Sequence, residues 1–347
     1  MMKRTLSLVL AAAMAVTMLS GCAKREEPAP EISSQSLTPD SSQPVSEVNV
    51  RFNVMSGPTG IGAAWLLEHY NAETAPTDSP VVLTSEVMAD NSAIKDALIS
   101  GSVDIAATAT NMAATLANKT NGGIQVLAVN TLGVLYILEK GDTVHTMADL
   151  KGKTLYATGQ GANPEYVLNH LLTENGVAPA DVDIQFLPPQ EITAKMASSQ
   201  SGICMLPVPA ATALLMKDQG VRVAVSLTEA WEALDQGSLP QGCIVARTEF
   251  VEQDPALVDA FLDLYAQSIA YMNDENNRAD AAALVAKYGI APNDKVAAQA
   301  IPQSSLTYVD GEAMKDLLEP YYAVLFEANP AAIGGAMPFD SFYYDAD

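Results

Sequence analysis

A unit of strand, loop and helix recurs four times after residue 48, and it limits the possible folds more than any other feature. Each unit has a short apolar strand, a loop of small and polar residues, and then a helix. Uninterrupted apolar strands that alternate with helices of about 10–15 residues indicate parallel sheets covered on both faces. The predicted class is therefore α/β, with strands at Asn49–Met55, Ser102–Ala107, Thr154–Ala157 and Ile203–Leu206.

Two long apolar runs, Ile124–Glu139 and Gly242–Phe250, lack the loop composition of the repeated unit. We expect each run to carry the chain from one sheet into another. The chain length fits two domains at about 100–200 residues each. The predicted first lobe is thus made of two pieces, 48–133 and 244–347, and the second lobe spans 134–243. The last third is mostly helical, with helices predicted at Asp254–Asn276, Ala279–Tyr288 and Gly311–Ala328.

The first 22 residues have the pattern of an export signal. Met1–Arg4 carries two positive charges, and Leu6–Leu19 is almost wholly apolar. That run is about 14 residues long, whereas a helix that crosses a bilayer needs about 20. Leu19-Ser20-Gly21-Cys22 resembles the cleavage motif of bacterial lipoproteins, which implies removal of residues 1–21 and acylation of Cys22. The alternative is an ordinary secretory signal that ends near a cysteine.

The region after the predicted cleavage point is rich in Pro, Ser, Gln and Glu. Such a segment cannot bury enough apolar surface to fold. Residues 22–47 are therefore predicted to be a disordered tether between the lipid anchor and the folded part. This places the protein on the outer face of the cytoplasmic membrane, at the cell surface or in the periplasm.

Composition and charge exclude several classes of function. The formal net charge is −23, which argues against nucleic acid binding and against a polybasic membrane contact. His69, His145 and His170 do not share the spacing of a metal site. We expect no metal and no cofactor, contact with the membrane only through the lipid, and a monomer. Cys204 and Cys243 are equally compatible with a disulfide and with two buried thiols.

The four loops after the predicted strands are the candidate binding site. Ligands of open α/β sheets bind beyond the carboxyl ends of the strands. The loops supply Gly, Ser, Thr, Asn and Gln, and each opens a helix whose free N–H groups would point into the crevice. Asn111 and Asn163 are predicted to be helix caps. Turns alone can explain one such loop, but four loops on two lobes favour a shared cleft.

Signatures of catalysis are missing from these loops. Gly159–Pro164 begins like a dinucleotide-binding motif, but its sixth position is proline, and no acidic residue ends the next strand. No phosphate-binding loop, nucleophile elbow or His-Glu-x-x-His motif occurs. The loops also lack Arg, Lys and His, so the side-chain clamp typical of carboxylate and phosphate sites is absent from the sequence pattern. We expect a binding protein and no enzyme.

Three motifs follow in order behind the predicted lipoprotein signal. They are Pro58-Thr59-Gly60, Gly101-x-Val103-Asp104-Ile105-Ala106 before Thr110-Asn111, and Met147-Ala148-Asp149-Leu150-Lys151-Gly152-Lys153. In these motifs the chain resembles the extracytoplasmic solute-binding proteins of ABC importers that are related to nitrate, sulfonate, taurine and thiamine-precursor binders. The resemblance covers about Asn49 to Tyr344.

This resemblance implies a periplasmic-binding-protein-like type II fold, with two lobes of parallel or mixed sheets joined by two hinge crossings. It also implies that the lobes close over a small-molecule solute and deliver it to an ABC permease. By position, the solute-binding residues would be Pro58, Thr59, Gly60, Thr110 and Asn111 of the first lobe, Gly161, Ala162, Asn163, Pro207 and Pro209 of the second, and Gln241 near the return crossing.

The identity of the solute stays open at this point. The fourth loop is Leu206-Pro207-Val208-Pro209, where many relatives carry an acidic residue or tryptophan, so oxyanion specificity is in doubt. A neutral or aromatic heterocyclic solute fits the loops at least as well. Two other functions are alternatives: an enzyme of the same fold, of pyrimidine-precursor synthesis or chorismate-dehydratase type, and a ligand-sensing lipoprotein that serves a membrane sensor.

Overall fold

The alternation of apolar strands and helices builds two separate β-sheets. The computed structural model describes residues 49–89 and 91–345, so the predicted signal, Cys22 and the predicted tether lie outside the described residues. Within those ranges the strands are Asn49–Met55 (β1), Val82–Met88 (β2), Ile105–Ala109 (β3), Ile124–Thr131 (β4), Leu135–Lys140 (β5), Thr154–Ala157 (β6), Asp183–Phe186 (β7), Gly202–Pro207 (β8), Val221–Ser226 (β9), Gly242–Arg247 (β10) and Leu306–Val309 (β11).

Five strands of each sheet share one arrangement, and the first sheet has a sixth strand, β11, at its edge. The first has the strand order β11-β4-β10-β3-β1-β2 and the second has β7-β6-β8-β5-β9. In the first sheet β1 runs parallel to β2 and β3, while β10 is antiparallel to β3 and β4. In the second, β6 runs parallel to β7 and β8, while β5 is antiparallel to β8 and β9. The α/β class and the two mixed sheets are therefore confirmed.

Helices cover the faces of both sheets, as expected for strands with uninterrupted apolar sequences. Gly311–Ala328 has the predicted bounds, and the other two C-terminal helices differ from prediction by up to three residues at each end. The α-helices of the described residues are Pro58–Ile61 (α1), Ala64–His69 (α2), Asn91–Ser100 (α3), Thr110–Lys119 (α4), Asn163–Glu174 (α5), Pro189–Ser198 (α6), Ala210–Lys217 (α7), Leu227–Glu232 (α8), Thr248–Gln253 (α9), Pro255–Asn273 (α10), Arg278–Lys287 (α11), Asp294–Ala300 (α12) and Gly311–Ala328 (α13).

The chain passes between the sheets twice. It leaves the first sheet at Thr131 and enters the second at Leu135, which confirms the crossing predicted within Ile124–Glu139. The crossing predicted within Gly242–Phe250 is wrong, because β10 lies wholly in the first sheet and the chain returns before it. An apolar run is equally compatible with a buried central strand and with a crossing, and β10 is central, between β3 and β4. Gly242 and Cys243 therefore belong to the first sheet, just ahead of the predicted return.

Helix α10 covers one face of the first sheet. Its buried residues Leu257, Phe261, Tyr265 and Ser268 recur at helical spacing and form the face that packs on the sheet. Phe261 packs edge-on against Phe52 of β1, with ring centroids 5.0 Å apart. Such aromatic pairs add about 0.5–1.5 kcal/mol beyond the area that they bury.

A second apolar cluster continues from the first sheet into the second. It joins Leu318 and Tyr321 of α13 to Leu168 of α5 and to Trp231 of α8, all of them buried. The C-terminal helix therefore packs against β4 of the first sheet and against helix α5 of the second half. Cys204 and Cys243 are buried free thiols that lie in different sheets. None of the helices in residues 49–89 and 91–345 has the length and apolar character of a membrane span.

Candidate functional site

The starts of helices α4 and α5 meet where the two sheets face each other. Asn111 is the second residue of α4 and Asn163 is the first residue of α5. The backbone N–H of Asn111 donates to Asn163 Oδ1 at 3.2 Å, and the backbone N–H of Asn163 donates to Asn111 Oδ1 at 3.1 Å. Each asparagine thus caps the helix of the other sheet. Both were predicted to be caps, but of their own helices.

The remaining polar atoms of these two carboxamides are also bonded. Asn163 Nδ2 donates to Thr110 Oγ1 and to the Gln241 carbonyl, both at 2.8 Å. Asn163 Oδ1 also accepts the hydroxyl of Tyr321 at 2.9 Å. Asn111 Nδ2 donates to a carbonyl of the C-terminal segment at 3.2 Å. We call Thr110, Asn111, Asn163, Gln241 and Tyr321 the amide cluster.

The amide cluster is buried and uncharged. Asn111 is 2% exposed, Asn163 1% and Gln241 7%. Burial raises the pKa of Tyr321 above its ordinary value, so the phenol is a neutral donor at pH 7. The chemistry available here is neutral hydrogen bonding between parts of the protein.

The first predicted loop adjoins this cluster. Thr59 is half-buried, and its carbonyl accepts a hydrogen bond from Asn130 Nδ2 at 3.3 Å. A Cβ atom on Gly242, which follows Gln241, would overlap the methyl group of Thr59. Gly60 is buried, and a side chain there would overlap the carbonyl of Met55. The structure therefore brings Thr59 and Gly60 to the same edge of the sheet as Thr110, Asn111 and Gln241, and Pro58 begins the helix beside them.

The candidate residues of the second sheet lie in two loops, before α5 and after β8, and they differ in burial. Ala162 is buried in extended conformation directly before α5. Gly161 is exposed, has a φ of +71°, and donates its N–H to Glu165 Oε2 at 2.6 Å. Pro207 ends β8 half-buried, and Pro209 is buried before α7. The fifth candidate of the second sheet is Asn163. Within the described structure it is the one candidate of this sheet whose hydrogen bonds reach the first sheet.

A second contact between the two halves lies at helix α7. Ala213 and Met216 of α7 pack against the apolar cluster that holds Val296 and Ala297 of α12. Helix α7 directly follows the loop with Pro207 and Pro209, whereas α12 follows the return to the first sheet. The two halves are therefore joined by the amide cluster, by the packing of α7 against α12, and by the apolar cluster in which α13 packs against α5.

Sequence reasoning missed two contributors to this region. Tyr321 lies in the middle of α13, and its hydroxyl is the donor that completes the bonds of Asn163. Asn130 lies near the end of the buried strand β4, and its Nδ2 donates to the Thr59 carbonyl and to the hydroxyl of Tyr265. A buried tyrosine hydroxyl needs a hydrogen-bond partner, but the sequence pattern does not say which. The polar end of the otherwise apolar β4 is a signal that could have identified Asn130.

Two cavities lie away from the predicted residues. A cavity of about 420 Å³ lies between α5 and the end of α13, lined by His170 and Gln236 among others. A cavity of about 650 Å³ borders β9 and α8. None of the predicted site residues lines either one. Over residues 49–89 and 91–345, no three His, Cys, Asp or Glu side chains are grouped as a metal ion would require.

Comparison with protein families gives one match. The family model described as NMT1/THI5 like matches residues 82–279. The chain belongs to the NMT1/THI5-like family. The matched range includes α4, α5 and the whole second sheet, and therefore most of the amide cluster. Among curated proteins no significant match to this NMT1/THI5-like chain is found.

Solved structures with the same fold are numerous. A Parabacteroides distasonis protein described as an ABC transporter is 21% identical, with a TM-score of 0.71 over 86% of this chain and 99% of that one. The alkanesulfonate-binding protein SsuA of Xanthomonas axonopodis pv. citri, bound to MOPS, is 17% identical, with a TM-score of 0.65 over 86% and 98%. The periplasmic nitrate-binding protein NrtA of Synechocystis PCC 6803 is 17% identical, with a TM-score of 0.52 over 72% and 68%. The NMT1/THI5-like chain therefore has the periplasmic-binding-protein-like fold.

Proposed function

We propose that the protein is a solute receptor of an ABC importer, which closes two lobes over a small molecule and delivers it to a permease. The contact between Asn111 and Asn163 is the observation that carries this proposal. It joins loops at the carboxyl ends of strands from two different sheets, which is where open α/β sheets bind ligands. The proposed lobes are those predicted from the sequence, 48–133 with 244–347 and 134–243, except that Gly242 and Cys243 belong to the first lobe.

The proteins of the same fold support this role. The Xanthomonas and Synechocystis proteins are described as binding an alkanesulfonate and nitrate, and the second as periplasmic. Receptors of this kind need two lobes that can separate. The two halves of this chain are connected by two covalent crossings, which suits hinged movement. In this structure they also meet through the amide cluster, through α7 and α12, and through the packing of α13 against α5.

The predicted residues form two groups in the proposed cleft. Thr110, Asn111, Asn163 and Gln241 are buried in the contact between the sheets and would form the floor of the closed cleft. The others lie beside this floor at the same edges and would face the solute: Pro58, Thr59, Gly60, Gly161, Ala162, Pro207 and Pro209.

The composition of the cleft favours a receptor over the enzymatic alternatives. Synthesis of a pyrimidine precursor or dehydration of chorismate needs groups that move protons at the reacting atoms. The only titratable group in the amide cluster is Tyr321, whose pKa burial raises above its ordinary value. The proposed role is therefore capture of a solute without chemical change.

Ligand capture is tested by mass spectrometry of solutes released from the native purified protein, followed by a thermal shift with each candidate. A solute that binds only the folded protein at about 100 times its Kd adds about 2.7 kcal/mol of stability. If a broad panel of vitamins, heterocycles, sulfonates and amino acids produces no shift and no solute is released, the receptor role is wrong.

Closure is tested by the distance between spin labels at Ser92→Cys and Gln160→Cys. Both positions are exposed and lie just beyond the carboxyl ends of strands, one in each sheet. The native thiols Cys204 and Cys243 are buried, and Cys22 is replaced by alanine, so the labels are selective. Binding of the solute should narrow the distribution of distances between the two labels and shift it to shorter distances. A distribution that bound solute leaves unchanged would contradict hinged closure.

The lipid anchor is proposed from the sequence alone. Cys22→Ala should release the protein into the medium, whereas Cys204→Ala, which removes a buried thiol, should leave it on the membrane. Retention of the Cys22→Ala protein on the membrane would refute the anchor and leave the solute-binding role intact. Identification of the bound partner in the membrane would separate an importer from a sensor.

A further inference from the structure

The two helix starts in the cleft are the groups that an anionic solute would need. The first N–H groups of a helix have no partner in the helix, and together with the helix dipole they form a natural anion site. Helices α4 and α5 have ten and twelve residues, and their first turns face each other. In an oxyanion receptor these turns would hold the negative oxygens.

In this structure the backbone N–H groups that begin the two helices at the meeting point are already bonded, whereas the buried side-chain amide nitrogen of Gln241 has no partner. The N–H of Asn111 and the N–H of Asn163 each donate to the side-chain oxygen of the other asparagine. The N–H of Thr110 donates to the Gln241 carbonyl at 3.3 Å. Each asparagine oxygen supplies the partial negative charge that an oxyanion would otherwise bring, and both residues are almost fully buried.

No cation compensates for this occupation. The loops 56–60, 108–111, 158–163 and 206–209 contain no Arg, Lys or His. The charged side chain that contacts the loop 158–163 is that of Glu165, a carboxylate that accepts the N–H of Gly161. An oxyanion that entered the closed cleft would lose its hydration and meet an acidic side chain and capped helices. Such a transfer is costly without a paired charge.

Resting on the proposed receptor role, we propose that Asn111 and Asn163 act as specificity determinants: their reciprocal capping excludes nitrate-like and sulfonate-like solutes and restricts the receptor to uncharged or cationic ones. The two asparagines do this by filling the helix starts with neutral oxygen atoms. The protein thereby differs in substrate class from relatives of the same fold that are described as binding nitrate or alkanesulfonate.

The proposal predicts a gain of anion binding when both caps are removed. In the double variant Asn111→Ala, Asn163→Ala, three donors lose their acceptor at one place: the backbone N–H groups of positions 111 and 163 and the hydroxyl of Tyr321. Two helix starts would then face a small space with unpaired donors and without the two side-chain oxygens that had occupied it. A planar anion of the size of nitrate is the best match for the volume of the lost carboxamides.

The test is isothermal titration of sodium nitrate and sodium methanesulfonate into the wild-type protein and the double variant. We expect no saturable heat with the wild type at millimolar concentrations, and nitrate binding at least about tenfold tighter in the double variant, because an uncapped helix start binds anions. The matched control is Asn118→Ala, Asn175→Ala. These asparagines lie at the far ends of the same two helices and donate to nearby carbonyls, so this variant should gain nothing.

Two results would overturn the proposal. One is saturable binding of nitrate or methanesulfonate to the wild type. The other is a folded double variant that binds nitrate no better than the wild type. If the double variant does not fold, Asn163→Ala replaces it, because this change alone frees the N–H of Asn111 and the hydroxyl of Tyr321 and should give a smaller gain. If the double variant gains nitrate binding but no solute is found for the wild type, the receptor role is refuted. The exclusion of anions by the two asparagine caps is then still supported.

Discussion

Strand β3 has a buried polar cluster at each end, and the two clusters differ in charge. Thr110 follows the strand and belongs to the uncharged amide cluster. Asp104 precedes the strand and accepts hydrogen bonds from Arg51 and Arg247, with its own side chain 5% exposed. The uncharged end faces the second sheet, whereas the charged end lies at the opposite edge.

The second sheet repeats this division. Glu139 is buried near the end of the antiparallel strand β5, at the edge where β8 begins. It accepts two N–H groups of the following turn and the guanidinium of Arg222 at 2.7 Å. In both sheets the buried ion pairs therefore lie away from the proposed cleft. We infer that ion pairs stabilise the edges of the sheets that lie away from the cleft, and that neutral amide hydrogen bonds stabilise the contact between the two halves.

Loss of the carboxylate at the charged end should have the largest effect on stability. Asp104→Ala leaves two guanidinium groups without their buried partner. It should lower the free energy of unfolding by about 3 kcal/mol, at the low end of the range for a broken buried pair, because Arg51 is 43% exposed. Urea unfolding measures this loss. Glu249→Ala is the control, since Glu249 pairs with Arg247 but is 83% exposed and should cost less than about 0.5 kcal/mol. Equal losses would contradict the comparison.

Loss of the amide at the cleft end should act on conformation more than on stability. Asn163→Ala removes four hydrogen bonds and should cost about 2 kcal/mol, because opening of the cleft lets water reach the abandoned donors. The distance between labels at Ser92→Cys and Gln160→Cys should lengthen in this variant. It should stay constant in Asn175→Ala and in Asp104→Ala. A distance unaffected by loss of Asn163 would remove the amide cluster from closure.

Acid pH should weaken the charged cluster at one end of β3 and leave the uncharged amide cluster at the other end unaffected. The expected effect on stability is smaller than that of the two preceding changes. Burial raises the pKa of Asp104, but the hydrogen bonds from Arg51 and Arg247 outweigh it and hold the pKa below its usual range. The pKa of Glu139 is lowered in the same way by Thr143, Val144 and Arg222 against the effect of burial. A lowered carboxyl pKa adds stability above the unfolded pKa, and this is lost as pH falls through the folded pKa, here below about pH 4.

The measurement is the free energy of unfolding between neutral and acid pH for the wild type and Asp104→Asn. The wild-type curve should fall more steeply in acid, since only the wild type must protonate this carboxylate. The label distance across the cleft should not change over the range in which the fold persists, because the two asparagines do not titrate. Parallel curves for the two proteins would show that the charged end contributes no acid sensitivity.

The thiols should give the smallest effect. Each sheet holds one, and burial raises the pKa of Cys204 to about 12 and that of Cys243 further. Neither should react with a thiol reagent in the folded protein at neutral pH, and both should react after unfolding in urea. A reductant should leave Tm unchanged. A drop in Tm with reductant would indicate a disulfide between the two sheets.

Local sequence was sufficient for most of the fold. Asn49–Met55 and Thr154–Ala157 are strands with the predicted bounds, and Gly311–Ala328 is the predicted helix. These segments have a clear apolar period and end at residues that break it, so neighbours in the sequence decide their structure. Gly242–Phe250 was misread because its apolar pattern does not depend on which strands lie beside it.

The amide cluster could be predicted only in part. Loop composition indicated Thr110, Asn111 and Asn163, the resemblance added Gln241, and the structure joins them by direct hydrogen bonds. The role of Tyr321 required the position of α13, which packs against α5 from far along the chain. A hydroxyl in a helix stripe has many potential acceptors until the helices are packed.

The amino-acid sequence by itself determined the strands, the helices, the polar loops at the strand ends and the absence of charge from those loops. Only the tertiary structure decided that Asn111 and Asn163, which lie 52 residues apart, cap each other's helix. The physical reason is that the first N–H groups of a helix need an acceptor but do not specify where it comes from. Packing of two distant helix starts supplied that acceptor, and it thereby set the chemistry of the cleft.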